Sequence, residues 1–318
     1  SAMKSMGYDE NRNPFFMPEL GVQMQSVPPI CTLFIKFPRY APLRFLPCSS
    51  LCATVNKTCT PEKTMKSKAE LFAELDALKS RLDACRPLPP DVVSQIREDM
   101  RVRFTYHSNA IEGNTLTMSE TKAVLEDGIT IGGKSLREHL EAVGHGHAID
   151  YMEALVQRDE ALTERTLKEI HNLILRNIDS ANAGAYRSTN VLISGAGHIP
   201  PSAECVPEKM EAFFRWCGPA RGTLHPVEFA ARVHADFVNI HPFKDGNGRT
   251  ARLIMNFELM RAGFPTVIVP VDARPDYYRN LDIAATQGNY LPFVMQIGGL
   301  TQKSFAPYWA LLGSRERC

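Results

Sequence analysis

The sequence predicts an all-α fold interrupted by one small β-hairpin. Three observations carry that prediction. Apolar residues recur at helical spacing in most segments from about residue 65 onward. Helix start and stop signals punctuate them: Thr117-Met118-Ser119-Glu120 reads as a capping box, Pro226 sits at a first helical position, and Gly263 stands where a helix ends. A single stretch, Asn190-Val191-Leu192-Ile193-Ser194, reads as a strand, and Gly195-Ala196-Gly197 allows a tight reversal into His198-Ile199-Pro200-Pro201.

Composition sets the class. The 318 residues could hold one large domain or two small ones, and a 44% hydrophobic content is ample for a core. A formal charge of +1 and a pI near 7.6 provide no global basic field for nucleic acid or an anionic membrane, so neither partner is expected. No apolar run reaches the roughly 18 residues of a membrane span, and the start lacks a signal-peptide pattern; a cytoplasmic location is expected. Cys31, Cys48, Cys52 and Cys59 crowd the first part of the chain with no CxxC pair and no nearby His, which favours free thiols over zinc.

In chain order, residues 1–64 are rich in proline and poor in periodicity, so poor order is expected there. From Met65 to about residue 100 a helical lead-in follows, with Leu71, Leu75, Leu78 and Leu82 along one face. Pro87 to Pro90 break it, and Asp91 starts another helix through Val92, Ile96, Met100, Val102 and Phe104. It leads to Ser108-Asn109-Ala110-Ile111-Glu112-Gly113, where Ser108 and Glu112 share a face at i, i+4 and Gly113 ends the helix. Gly132-Gly133-Lys134-Ser135 mimics the end of a phosphate-binding loop, but no buried strand precedes it. His139, His145 and His147 lie in a helix over 135–156 and read as packed interior, since no carboxylate trio completes a metal site. An amphipathic helix spans 163–177 with Leu167, Ile170, Leu173 and Ile174 inward. After the hairpin, helices are predicted from Pro207 to about 217–219, on both sides of residues 241–252, over 276–286 and over 291–312.

The stretch 241–252, His-Pro-Phe-Lys-Asp-Gly-Asn-Gly-Arg-Thr-Ala-Arg, joins two of these helices. A helix start carries unpaired N–H groups and the positive end of the macrodipole, and Gly246 and Gly248 let an anion approach the backbone. Arg249 and Arg252, three residues apart, share a face and can fork onto phosphate oxygens; Asp245 is placed to hold a magnesium ion, and His241 is poised as a base.

The order His, Phe, Asp, Gly-Asn-Gly, Arg, Arg resembles the signature of the Fic family, enzymes that move AMP from ATP onto protein hydroxyls. The resemblance covers about residue 100 to the end and implies a Fic-type helical bundle over 101–318, with the predicted hairpin as its flap. Ser108 to Gly113 matches the Ser/Thr-x-x-x-Glu-Gly/Asn pattern of the family's inhibitory helix, here at 105–113. The resemblance implies that Ser108, Glu112 and Gly113 form an inhibitory element whose Glu112 faces Arg252, bidentate, where a γ-phosphate would sit. It assigns His241 as the base, Asp245 to Mg²⁺, Gly246, Asn247, Gly248, Arg249 and Arg252 to the phosphates, Phe243 as an anchor of the loop in the core, Ile193, Ser194, Gly195 and Ala196 of the flap to the nucleotide's border, and Tyr277 and Tyr278 to the adenine pocket. The implied function is a protein adenylyltransferase acting on a Ser, Thr or Tyr hydroxyl of a target protein, or on itself, with ATP and Mg²⁺. Two alternatives stay open: AMP removal with Glu112 positioning water, and a non-catalytic nucleotide-regulated binding module. A homodimer is compatible with the resemblance.

Overall fold

The structure is a computed structural model that describes residues 66–315. The predicted poor order of 1–64 and the cysteine group at 31–59 lie outside the described residues. Among the described residues there are eleven α-helices and no strand. In order they are α1 Lys68–Asp83, α2 Pro90–Ile111, α3 Met118–Lys122, α4 Leu136–Gln157, α5 Glu164–Leu175, α6 Val206–Thr223, α7 Pro226–Ile240, α8 Asn247–Arg261, α9 Arg274–Gln287, α10 Leu291–Ser304 and α11 Ala306–Arg315.

Local chemistry accounts for most of these boundaries. Ser67, Thr117, Ser135 and Thr163 head α1, α3, α4 and α5 with side chains that accept from the first-turn N–H groups, each in a reciprocal capping box. Proline occupies the opening turn of α2, α6, α7, α9 and α10, where its missing N–H costs nothing. Among the described residues, no helix is long and apolar enough to cross a membrane.

The α7–α8 hairpin is the centre of the packing. Phe229, Val233 and Phe237 of α7 with Leu253, Ile254 and Phe257 of α8 join a core built with α4, α5 and α6. The opposite face, including Val227, Ala231, Met255 and Leu259, joins a second core with α1, α9 and α10. α8 is buried on both sides, at every position from Asn247 to Leu259 except Gly248, and its buried residues include the polar Asn247, Arg249, Thr250, Arg252, Asn256 and Glu258 as well as the apolar core. The loop 241–246 is thus held between two helices that are each buried against both cores.

α2 runs unbroken from Pro90 to Ile111, across the position 100/101, and the 105–113 element is its last turns with Glu112 at its C-cap. α1 joins the second core through Leu71, Leu75 and Leu82. Two expectations are corrected. α6 continues through Pro219 to Thr223, because Ala220 is buried there and Arg221 pairs with the buried Glu258 through two hydrogen bonds. The predicted strands at 190–200 do not form, for reasons given below.

Candidate active site

His241 ends α7. Its backbone is left-handed (φ 50°, ψ 57°), a conformation uncommon for a residue with a Cβ, and it turns the chain sharply into the loop. The His241 Nδ1 faces the Val238 carbonyl at 3.3 Å, which favours the tautomer with Nε2 unprotonated and free to accept a proton. Burial lowers its pKa; the Val238 contact opposes this, Arg187 adds to it, and Glu112 opposes it. The ring is neutral at physiological pH.

The loop is locked from beneath. Asn247 is buried, its Oδ1 accepting from Phe243 N–H at 2.9 Å and its Nδ2 donating to Phe243 C=O at 2.8 Å. Its side chain thereby bonds both backbone groups of Phe243 and holds the loop closed. Phe243 is fully buried and stacks on His171 of α5 at 3.5 Å between centroids. His171 accepts from Gly184 N–H at Nδ1 and so carries its proton on Nε2, which donates to Asp245 C=O at 2.9 Å. Burial pushes the His171 pKa down to about 4, keeping it neutral in that role.

At the head of α8 the usual cap is missing. Gly246 (φ 75°) stands at the N-cap and no side chain caps the first-turn N–H groups, in contrast to α1, α3, α4 and α5. No acidic residue occupies that first turn either. This end of the dipole is left for an external anion. Arg249 is buried, with Nε and Nη1 lacking a hydrogen-bond partner among the described residues, so its guanidinium holds donors in reserve.

Arg252 is 1% exposed and meets both members of the i, i+4 pair on α2. Its Nε donates to Ser108 Oγ at 3.0 Å, its Nη2 to Ser108 C=O and to Glu112 Oε1, each at 2.8 Å, and its Nη1 to Tyr277 OH at 3.3 Å. Burial works against the charge on Arg252, yet Tyr277 and Glu112 outweigh it and its pKa is raised. The Glu112 contact is a single hydrogen bond and not the bidentate fork expected, because Ser108 and Tyr277 occupy the other donors. Glu112 lies over the α8 N-terminus: a Cβ built on Gly248 would be 2.3 Å from Glu112 Oε1. Gly113 takes φ 100°, and Arg274 of α9 caps the tip by donating from Nε to Ile111 C=O at 2.8 Å.

Asp245 is half-exposed. Burial raises its pKa but Arg249, the Gly246 N–H and Arg137 prevail, holding the carboxyl below its ordinary range and ionised. Among the described residues no group of three or more His, Cys, Asp or Glu side chains gathers as for a protein-held metal. An ionised carboxylate beside an uncapped helix start, with one oxygen under the exposed Arg137, fits Mg²⁺ that would take its other ligands from phosphates and water.

The segment 190–200 is a loop. A lone pair of strands buries little and has no sheet to join, so side chains hold it instead. Asp282 Oδ1 accepts from Gly197 N–H at 2.7 Å and His198 N–H at 3.2 Å, and His198 Nε2 meets Asn239 C=O at 2.8 Å. Arg187, buried, bolts the loop to the end of α7: its Nε donates to His241 C=O at 2.8 Å, its Nη1 to Thr189 C=O and its Nη2 to Pro201 C=O. Within the turn Ala196 N–H donates to Ile193 C=O at 3.2 Å, Gly195 has φ 78°, and Ser194 is exposed. Leu192 and Ile199 are exposed on the same loop.

Tyr277 does not line an open pocket. It is buried, its hydroxyl donates to His234 Nε2 at 2.8 Å, and it backs Arg252; burial raises its pKa to about 12. Tyr278, partly exposed, is the member of the pair that faces outward. The three histidines of α4 do not converge: His139 takes the Ile131 N–H, His145 faces Thr105, and His147 is exposed near Arg176.

His171, Arg187, Asp282 and Arg274 were not singled out as site residues from the sequence. For His171 a signal existed, since it lies four residues after Leu167 and three before Ile174 on the inward face of α5. Apart from the Arg187 bond to Thr189, the other three act through backbone groups distant in sequence, and no local pattern marks them.

Residues 161–259 match the Fic/DOC family. The chain is 41% identical over 240 residues to a protein adenylyltransferase Fic of Nematostella vectensis, covering 74% of this chain and 56% of that protein. To its counterpart from Drosophila melanogaster it is 38% identical, covering 74% of this chain and 48% of the other. The chain thus spans about half the length of the curated relatives it matches. Among solved structures, Fic-1 from C. elegans superposes with a TM-score of 0.70 at 33% identity, covering 78% of this chain and 73% of that one. A Fic domain containing signaling protein from Bacteroides thetaiotaomicron gives 0.70 at 29% identity, covering 76% and 97%. With the motif, the helical fold and these likenesses in agreement, the chain belongs to the Fic family.

Proposed function

We propose that this chain is a protein adenylyltransferase that moves AMP from ATP to a hydroxyl side chain of a target protein and is held back by Glu112. The observation that carries this reading is the pairing of a neutral His241, with Nε2 free, and an uncapped α8 N-terminus a few residues on. In the reaction the target hydroxyl oxygen bonds to the α-phosphorus, the bond from that phosphorus to the bridging oxygen breaks, and pyrophosphate leaves. His241 Nε2 takes the hydroxyl proton. The backbone of Gly246 to Arg249 and the guanidinium of Arg249 bind phosphate oxygens, and Arg252 receives the outermost phosphate once Glu112 gives it up. Asp245 would hold Mg²⁺, which supplies Lewis-acid neutralisation of the phosphates when bound. Phe243, Asn247 and His171 keep the loop in register. Residues 193–196 and the exposed Leu192 and Ile199 border the place where a target segment would lie, and Tyr278 borders the adenine.

The position of Glu112 over the start of α8, where a Cβ on Gly248 would lie 2.3 Å from its Oε1, supports a second use of the same residues. With the phosphates gone, Glu112 is placed to orient water for AMP removal.

Replacement of His241 by Ala tests the first reading, with labelled AMP incorporation from ATP and Mg²⁺ as the readout in a Glu112→Gly background. A general base contributes on the order of 10²–10⁴-fold. Loss of that size is expected with ATP binding retained; an unchanged rate would end the proposal.

A further inference from the structure

Beside the α8 N-terminus four charged side chains close a square. Arg137 of α4 donates from Nη2 to Asp245 Oδ2 at 2.8 Å and from Nε to Glu141 Oε1 at 3.1 Å. Arg249 of α8 faces the same two carboxylates, Asp245 Oδ1 at 3.4 Å and Glu141 Oε1 at 3.6 Å. Each cation therefore touches both anions.

The corners differ in how firmly they are held. Arg249 is 3% exposed and Glu141 13%, and Glu141 Oε2 is pinned by Asn114 Nδ2 at 3.0 Å. Arg137 is 57% exposed, and apart from Asp245 its partner is Glu141 one turn along its own helix. Arg137 is the corner that can move while the other three stay. Asp245 Oδ1 is already engaged by the Gly246 N–H at 2.6 Å, so the oxygen that Arg137 covers, Oδ2, is the one with room for another ligand.

We propose that Arg137 is a built-in counter-cation for Asp245. While no metal is bound, it neutralises the carboxylate, so a polyphosphate can settle on the α8 N-terminus without meeting a bare negative charge. When a divalent cation binds with the nucleotide, Arg137 yields Oδ2 to it and stays tethered to Glu141. This rests on the nucleotide-site reading above, and it concerns how strongly nucleotide binding depends on metal. With Arg137 in place that dependence is blunted; without it, the carboxylate keeps only Arg249 and the Gly246 N–H, repels the phosphates more strongly, and binding leans more on the metal.

The test measures ADP affinity calorimetrically, in saturating Mg²⁺ and in EDTA, for the unaltered chain, Arg137→Ala and Arg137→Lys. ADP is the probe because it lacks the γ-phosphate that Glu112 contests. In Arg137→Ala the metal-free affinity is expected to fall about fivefold, the size of one partly exposed ion pair, while the Mg²⁺-saturated affinity changes little. The ratio of the two affinities therefore grows about fivefold, and Lys restores most of it. A merely structural role would weaken both affinities together; an unchanged ratio overturns the proposal. Absence of ADP binding by the unaltered chain in Mg²⁺ would instead overturn the nucleotide-site reading on which the proposal stands.

Discussion

Replacing Glu112 with Gly is the most informative single change. The carboxylate makes one charge-assisted hydrogen bond, Glu112 Oε1 to Arg252 Nη2 at 2.8 Å, between a side chain 35% exposed and one 1% exposed. Hydrogen bonds to charged groups contribute about 1.5–3 kcal/mol, and the partial exposure of Glu112 argues for the middle of that range, about 2 kcal/mol. If an incoming γ-phosphate must break that bond, its loss corresponds to about 30-fold in the population of productive complexes. Stability should change less. Arg252 keeps Ser108 Oγ, Ser108 C=O and Tyr277 OH, so its charge is not orphaned, and removing an anion from the C-cap of α2 relieves an unfavourable dipole contact of about 0.5 kcal/mol. The assay is transfer of labelled AMP from ATP with Mg²⁺, to the chain itself and to a lysate. Glu112→Gln, which keeps an acceptor oxygen without the charge, should fall between the two. Equal labelling by the unaltered chain and the Gly variant, with ATP bound by both, would refute the reasoning.

Two further outcomes follow from buried histidines. His171→Phe keeps the stack on Phe243 but leaves Gly184 N–H and Asp245 C=O without their partner, so unfolding in urea should show a loss of about 2–3 kcal/mol; a midpoint equal to the unaltered chain's would contradict the locking role. The pH dependence has a definite sign. Burial lowers the folded-state pKa of His171 to about 4, and those of His145 and His234 well below the ordinary value, against about 6.5 unfolded. Between those values the unfolded chain binds more protons, so stability is full above about pH 6.5 and is lost as pH falls toward 4, with His171 alone accounting for up to about 3 kcal/mol. Thermal unfolding should therefore be insensitive to these groups above pH 7 and drop steeply below 6.5; a melting temperature that rises on acidification would exclude this account.

How much of this was legible in the sequence depended on the range of the interaction. Thr117 with Glu120, Pro226 and Gly263 announced their helix ends because capping involves neighbours three or four positions away. The pairing of Ser108 with Glu112 was legible for the same reason, and both side chains do meet Arg252, 144 and 140 residues away. The hairpin failed on the same principle. Val191-Leu192-Ile193 has strand-like side chains, but a strand is defined by its partner, and what this loop finds is Asp282, Asn239 and Arg187. Pro219 likewise carried a breaker signal that was overridden by burial of Ala220 and the Arg221–Glu258 pair.

The motif itself divides along that line. Its glycines serve conformations that can be read locally: Gly246 takes a positive φ, and Gly248 leaves room that a Cβ would deny to Glu112. Its polar side chains split by burial, which no motif states. Asn247 turns inward and bonds Phe243, Arg249 turns inward with donors left over, and Asp245 stays at the surface with one oxygen under Arg137. Of three residues that the pattern treats alike as phosphate or metal contacts, one therefore holds the loop closed, one is a reserve of positive charge and one is an acid already partnered. The chemistry of the site is the chemistry of what those burials leave uncommitted: the His241 Nε2, the first-turn N–H groups of α8, the spare donors of Arg249, and whatever Glu112 and Arg137 release.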